Sequence, residues 1–355
     1  SKRSWAPWAM GVSCSSDPCC RQEPNGNGLS VTEQFPALKQ DLVDPLEGKN
    51  ITLFDFKGIG AASFSDVIVD RAAGYFEREI AECHGLKDRF REGYGCERRP
   101  LYKFQTGATY LGQWKGHHRH GWGVQRWPDG ACYEGMWLHG AAEGMGRFSH
   151  ADGDLYIGQW SRSLAHGLGT YYHGEIMCYM GGWRRGLQEG IGVEIWRRTS
   201  VYKGEFCSGE KQGHGVFCWP DGSMYCGTWK TNNINGVGTH RIGDKFFFAG
   251  RWSDARLHGM GRYMWQDGRE YKGQYYADLK DGFGIFLWAD GSRYEGFWKA
   301  GWQHGHGLLA PAGGTPFSDT WWYGRRGNAS LPVSMGADKQ SRATEGPFQT
   351  FSFAQ

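Results

Sequence analysis

The chain has 355 residues, a net charge of +3, and 57 glycines against 12 prolines; aromatic residues make up 15% and include 18 tryptophans. A glycine share more than twice the usual ~7% disfavours long helices, because each interior Gly costs about 1 kcal/mol against Ala. Collagen would need Gly at every third position with abundant Pro, and disordered chains are poor in aromatics. The small charge argues against nucleic acid as a partner, and no run of 18 apolar residues offers a membrane-spanning helix.

Residues 1–30 lack the apolar core of a secretory signal and are expected to be a disordered segment carrying an acylation motif. Met10-Gly11-Val12-Ser13-Cys14-Ser15 fits M-G-x-x-x-[ST], with Gly11 as the myristate acceptor once Met10 is removed. On that expectation Ser1–Ala9 lies upstream of the translation start. Cys14, Cys19 and Cys20 are the candidate palmitoylation sites. One acyl chain binds a membrane reversibly and two anchor it, and Arg21 is offset by Asp17 and Glu23, so stable attachment is expected to need the cysteines. The ten Cys of the chain include no CxxC pair, which points to a reduced, intracellular protein.

Residues 31–109 read as an N-terminal region with one helix. Phe64, Val67, Ile68, Ala72, Tyr75, Phe76 and Ile80 form one apolar stripe and predict a helix at about 64–83. Ser65 is its N-cap and His84-Gly85 its stop, and its expected role is to cap the array that follows.

From residue 110 the chain repeats every 23 residues. Tyr-x-Gly-x-Trp occurs at Tyr110, Gly112 and Trp114, and again at Tyr133 and Trp137, Tyr156 and Trp160, and Tyr179 and Trp183. Further units begin at Tyr202, at Tyr225 (with Trp229), at Phe248 (with Trp252), at Tyr271, and at Tyr294 (with Trp298). In each unit two more glycines follow, Gly121 and Gly123 in the first. The block 110–316 holds 42 of the 57 glycines. Tyr110–Lys115 alternates in polarity and reads as a strand; 116–120 reads as a turn, Gly121–Trp127 as a second strand, and Pro128-Asp129-Gly130 as a tight turn between hairpins. Glycine weakens a strand unless something covers it; a ring on a neighbouring strand can do so. Nine hairpins give about 18 strands, roughly 85 Å at ~4.8 Å per strand. Phe317–Trp321 is a tenth half-unit in which Asp319 replaces the first Gly, so the array, bounded at 110–327, is expected to end there. Residues 328–355 lack periodicity and read as a flexible tail.

These residues resemble the MORN repeat (membrane occupation and recognition nexus): Tyr-x-Gly-x-Trp, a turn, a polar residue that is His at 120, 166, 258 and 304, then Gly-x-Gly. The resemblance implies an all-β repeat array, an elongated, twisted, single-layer antiparallel sheet of stacked hairpins. It does not imply an activity. Arrays of this kind occur in junctophilins, in plant phosphatidylinositol-phosphate kinases, in radial-spoke proteins and in scaffold proteins.

No catalytic signature is present: there is no GxSxG elbow, no kinase signature and no phosphate loop. His117-His118-x-His120 reads as a turn, not a zinc site, for which four spaced ligands are needed. No metal, cofactor, nucleic acid or small-molecule substrate is expected. Arg184-Arg185 and Arg197-Arg198 form a possible anionic-lipid patch, although phosphoinositide sites usually gather four to eight basic residues. The leading expectation is a scaffold or adaptor at a membrane or membrane–cytoskeleton junction, held by acylation, that binds protein partners or itself. Its variable strand face (Gln113, Lys115, Glu134, Met136, Gln159, Arg184, Glu205, Lys230, Arg251, Gln274, Phe297) would select partners. The alternatives are an axonemal or cytoskeletal component without a lipid anchor, and the targeting portion of a protein related to repeat-containing lipid kinases.

Overall fold

A computed structural model describes residues 74–87, 89, 95–196 and 200–327. All of these belong to one unit, Phe56–Gln355; a second unit, Ser1–Asp55, lies outside the described residues. Gly11, Cys14, Cys19, Cys20, Arg197, Arg198, residues 64–73 of the expected helix and the tail 328–355 also lie outside them. Helical backbone covers 74–77 and, after a turn, α1 (Ile80–Gly85). The rest is one open antiparallel sheet of 22 strands. From β3 (Thr109–Lys115) and β4 (His118–Arg126) to β21 (Phe317–Trp322) and β22 (Arg325–Arg326), each strand pairs with the next along the chain. Two short strands, β1 (Glu97–Arg98) and β2 (Tyr102–Lys103), share the other edge of β3.

The first unit shows why the sequence folds this way. Along β3, Tyr110, Gly112 and Trp114 are buried while Leu111 and Lys115 face solvent. Gly112 pairs with Gly123, which pairs in turn with Gly135 of the next hairpin. The pattern continues strand by strand to Gly307, opposite Asp319. A row of glycines therefore crosses the array at right angles to its strands. The ring of Tyr110 lies on this row. A Cβ on Gly112 would stand 2.5 Å from Gly123 Cα and 2.6 Å from Tyr110 Oη, and a Cβ on Gly123 would meet the same ring. Glycine is needed here to let a ring lie against bare backbone.

The tyrosine hydroxyl has its own task. Tyr110 Oη donates to the carbonyl of Gln113 at 2.9 Å, and seven further units repeat this bond at 2.9–3.1 Å. That carbonyl sits at a β-bulge. Trp114 pairs with Arg119 and Gly112 with Gly123, so two extra residues are accommodated on β4 around Gly121. Gly121 has φ +62°, and the equivalent glycine is left-handed in every unit, up to +99° at Gly282. Bulges leave ladder groups unpaired, and side chains collect them here.

The bulge also corrects the expected boundaries. The turn is only two residues long, 116–117, and the second strand already begins at His118. What reads as a long turn is strand interrupted by a left-handed glycine. In most later units both turn residues have positive φ, as at Arg162-Ser163 and Thr231-Asn232, the type I′ geometry that matches strand twist. The second turn residue then donates its N–H to the preceding unit beyond the bulge, for example Gly140 to Arg119 O and Asn232 to Lys211 O, at 2.8–3.1 Å along the array. Between hairpins, Asp129 accepts from Ala131 N, with the same bond at Asp221 and Asp290.

Two predictions follow from this geometry. Gly236 has φ +96° and its missing Cβ would collide with Thr228 Oγ1, so Gly236→Val should destabilise the array, and Trp229→Ala should cost about 3–5 kcal/mol through the cavity left in a fully packed site; denaturant melts should show both losses. Phe248 stands where other units have Tyr and lacks the hydroxyl. Phe248→Tyr should therefore gain about 1 kcal/mol by supplying the Arg251 carbonyl with a donor, and Tyr225→Phe should lose a similar amount.

Candidate interaction surface

The array has two unlike faces. On one, the rings interlock edge to face in a single file from Trp114 to Trp321. Tyr110 touches Trp114 at 5.1 Å and Trp137 at 5.5 Å, Tyr133 touches Trp137 and Trp160, and the pattern holds through Tyr294 and Trp321 at 5.1 Å. Phe206 and Tyr275 replace Trp in two units and keep the contact. Edge-to-face pairs contribute about 0.5–1.5 kcal/mol each beyond area burial. Six tryptophans also donate Nε1–H to the glycine carbonyl of the preceding unit, as Trp137 does to Gly123 at 3.2 Å and Trp298 to Gly284 at 3.3 Å. Tyr156, Trp160, Tyr179, Trp183, Tyr202, Tyr225, Trp229, Trp252, Tyr271 and Trp298 are all buried in this file. At its far end Asp319 breaks the glycine row and accepts from Arg326 Nε at 2.6 Å, while the Arg326 guanidinium lies 4.1 Å from the Phe317 ring.

The helical segment 74–85 covers this face over the first three units. Phe76 is buried against Trp127, Tyr133, Trp137, Phe148 and Trp160. Tyr75 donates to Asp129 Oδ2 at 2.8 Å. Beneath it runs a polar network that the sequence did not announce. Glu79 is fully buried and accepts from Thr106 Oγ1 at 2.9 Å, Gln125 Nε2 at 2.8 Å and Trp127 Nε1 at 3.2 Å. Arg119, also fully buried, donates to Gln125 Oε1, Phe76 O and Gly140 O, and lies 4.3 Å from the Trp137 ring. Gln125 thus bridges a buried acid and a buried base. His117 and His118 lie beside this network with rings 3.8 Å apart, and no group of three or more His, Cys, Asp or Glu among the described residues could hold a metal ion. The seven cysteines of the described residues are free thiols.

The other face carries the middle residue of each Gly-x-Gly. Trp122, Met145, Ile191, Val237, Met260 and Phe283 occupy this place and are exposed, Met260 at 58%. Trp122 pairs across the strands with exposed Met136, and Phe283 with exposed Phe297, rings 5.7 Å apart. This apolar row escapes a reading of the sequence that assigns Gly-x-Gly wholly to structure. The residues expected to vary for partner choice divide differently. Gln113, Gln159, Glu205 and Gln274 accept the bulge N–H of Trp122, Leu168, His214 and Phe283 at 2.7–2.9 Å. Thr228 does the same for Val237. These side chains are structural, because the bulge leaves an amide that must find an acceptor. Arg184 is exposed and ion-paired with Glu189 at 3.2 Å, a surface pair of little energetic weight, and Arg185 lies in the adjacent turn with φ +51°.

Two stability predictions belong to these residues. Arg119→Ala should leave Glu79 buried without its bridged base, which typically costs about 3–5 kcal/mol, and hydrogen exchange should rise first at residues 74–85. His240 is buried among Trp219, Phe246 and Trp252. Burial holds its imidazole down at about 4, against the pull of Asp221. Between pH 6.5 and 4 the unfolded chain binds a proton that the folded one refuses, so stability falls as pH drops through that window, by about 3 kcal/mol in full. In His240→Phe that part of the acid slope should vanish from pH-dependent melts.

No curated protein matches the chain. Among solved structures, the TCP domain of Drosophila melanogaster SAS-4, in complex with a proline-rich motif of Ana2, is 10% identical over 50% of this chain and 89% of its own, with a TM-score of 0.29. A mutant TCP10 domain of Danio rerio CPAP is 14% identical over 56% of this chain and 98% of its own, with a TM-score of 0.31. Neither score is high enough to bear on fold or function. The MORN repeat family matches at 110–132, 133–155, 156–174, 179–199, 202–224, 225–244, 248–268, 271–293 and 294–314, which together make up more than half of the chain. Such repeats are in general non-catalytic modules that engage proteins or membranes, often at a membrane or the cytoskeleton. Among the described residues no helix is long and apolar enough to cross a membrane. With nine tandem units in unbroken register, this chain belongs to the MORN repeat family.

Proposed function

We propose that this chain is a non-enzymatic scaffold that holds protein partners at a membrane, tethered by myristate on Gly11 and palmitate on Cys14, Cys19 or Cys20. The observation that favours protein binding is the exposed row Trp122, Met145, Ile191, Val237, Met260 and Phe283. It recurs in six of the nine units, the others carrying Leu168, His214 and His306 at that place, on a face that the ring file does not need, and exposed apolar surface of this kind marks binding sites. The tether rests on the motif at Met10–Ser15 and on the arithmetic that two acyl chains anchor where one does not. Arg184 and Arg185, with Arg197 and Arg198, would add weak attraction to anionic lipid, reduced by Glu189.

Membrane fractionation decides the tether. Wild-type chain should sediment with membranes, Gly11→Ala should move to the soluble fraction, and replacing the three cysteines by Ser should leave a weak, reversible association. A Gly11→Ala chain that stays in a detergent-resistant cytoskeletal pellet would favour the axonemal or cytoskeletal reading instead. Partner binding is tested separately: Met260→Asp with Phe283→Asp should keep the melting temperature within a few degrees, since both side chains are solvent-facing, and should abolish partner crosslinking.

A further inference from the structure

The residue paired across each hairpin with the second aromatic lies beyond the bulge, on the aromatic face. In three units it is a cation: Arg119 pairs with Trp114, Lys211 with Phe206 and Lys280 with Tyr275. Two of these cations have an internal counter-charge. Arg119 reaches Glu79 through Gln125, and Lys211 Nζ is ion-paired with Glu194. Lys280 has neither: among the described residues no carboxylate stands within ion-pairing distance of its Nζ. The position that Glu194 holds in the unit before Lys211 is held in the unit before Lys280 by Tyr263.

Lys280 Nζ sits instead among four rings, 4.7 Å from the centroid of Phe286, 5.0 Å from Trp298 and 5.4 Å from both Trp265 and Tyr271. Rings attract a cation through their quadrupole but bring no negative charge, so the ammonium loses water without gaining a counter-ion. Arg269 crowds it further. Its guanidinium lies 5.4 Å from the same Trp265 ring, with Nε on Asp267 Oδ2 at 2.7 Å. Both cations stand 5.4 Å from one indole, and among the described residues no carboxylate is ion-paired with Lys280.

We propose that Lys280 and Arg269 form a binding site for a carboxylate, that of an aspartate or glutamate side chain on a protein partner laid along the aromatic face of the seventh and eighth repeats. A carboxylate has two oxygens and can accept from both cations at once. The surrounding half-buried indoles of Trp265 and Trp288 offer the residues flanking the acid an apolar surface that a free small anion would leave unused. The site rests on the scaffold reading only in that its ligand is a protein. Burial and Arg269 hold the free Lys280 ammonium down at about 8. The other titratable groups around it are Tyr263, Tyr271 and Tyr275, whose hydroxyls burial pushes up and which stay neutral through this range, the Arg269–Asp267 pair, and Asp281, which acts on Tyr271 and is paired with Lys299 at 3.1 Å. The ligand binds the ammonium form, so affinity should fall as pH rises through 8, and occupancy should raise the Lys280 pKa.

The test uses the full chain labelled with lysine carrying 13C at Cε, with the Lys280 resonance identified by its loss in Lys280→Arg. The peptide acetyl-Leu-Glu-Leu-Gly-amide at saturating concentration should raise the Lys280 titration midpoint by one unit or more, a tenfold preference for the charged form. The Gln counterpart and acetate at the same concentration should not, and the exposed lysines should not move. Lys280→Met should melt at or above the wild-type temperature and should lose the peptide's effect on tryptophan fluorescence. Equal responses to Glu and Gln peptides, an equal response to acetate, or an equal shift of the exposed lysines each overturns the proposal. Met260→Asp, on the opposite face, should leave this titration unchanged, so failure of the partner-binding row and failure of this site are read separately.

Discussion

The array depends on one contact, an aromatic ring pressed onto a row of backbone that has no side chains. Once the Tyr110 ring lies on Gly112 and Gly123, much of the unit is determined. Neither glycine can carry a Cβ, because the ring and the facing Cα already fill that space. The hydroxyl at the far edge of the ring falls within 2.9 Å of the Gln113 carbonyl and supplies that carbonyl with a donor where the partner strand bulges, a bulge that the Phe248 unit keeps without a hydroxyl. The bulge requires a left-handed residue, supplied by Gly121. The three glycines of a unit therefore answer two requirements, two lying under the ring and one turning the bulge. The same contact fixes spacing within the strands: a residue inserted between Tyr110 and Trp114 would take the ring off the glycine row and the indole out of the file.

Most of the scaffold was legible in the sequence because it is periodic. The strand with Tyr110, Gly112 and Trp114 on one side, the hairpin in each unit, the Asp-Gly turns and the covering of glycine by a ring all follow from side-chain alternation and turn chemistry. The bulge was not legible. His118–His120 looks like turn because a polar run before glycine has the same composition whether it is a loop or a strand about to bulge. For the same reason Gln113 looked like a free surface residue. Its side-chain acceptor is committed to an amide that is orphaned only once the register is known. The buried chain Glu79–Gln125–Arg119 was hidden by distance, since its members are brought together only when the helical segment lies over three units. The exposed apolar row was hidden by a correct inference carried too far: the glycines of Gly-x-Gly are structural, but the residue between them points the other way.

These constraints also say where the array is free to change. The glycine row leaves no room for a Cβ, and the ring file varies only among aromatics, as at Phe206, Phe248 and Tyr275. Beyond the bulge the backbone is closed by the neighbouring turn, whose N–H bonds the carbonyl of the residue there whatever its side chain is. That position accordingly ranges from Ala142 through Ile234 to Arg119, Lys211 and Lys280, each placed on the aromatic face at a cost set by its own neighbours. Where a carboxylate is at hand, as for Lys211, the charge is structural. Where the neighbours are only rings, as for Lys280, burial leaves an unmet demand for an acid. In a solenoid each unit contacts only its neighbours, so such a local imbalance is not averaged over a common core. It stays in the unit that carries it, and a partner that meets it gains the full difference.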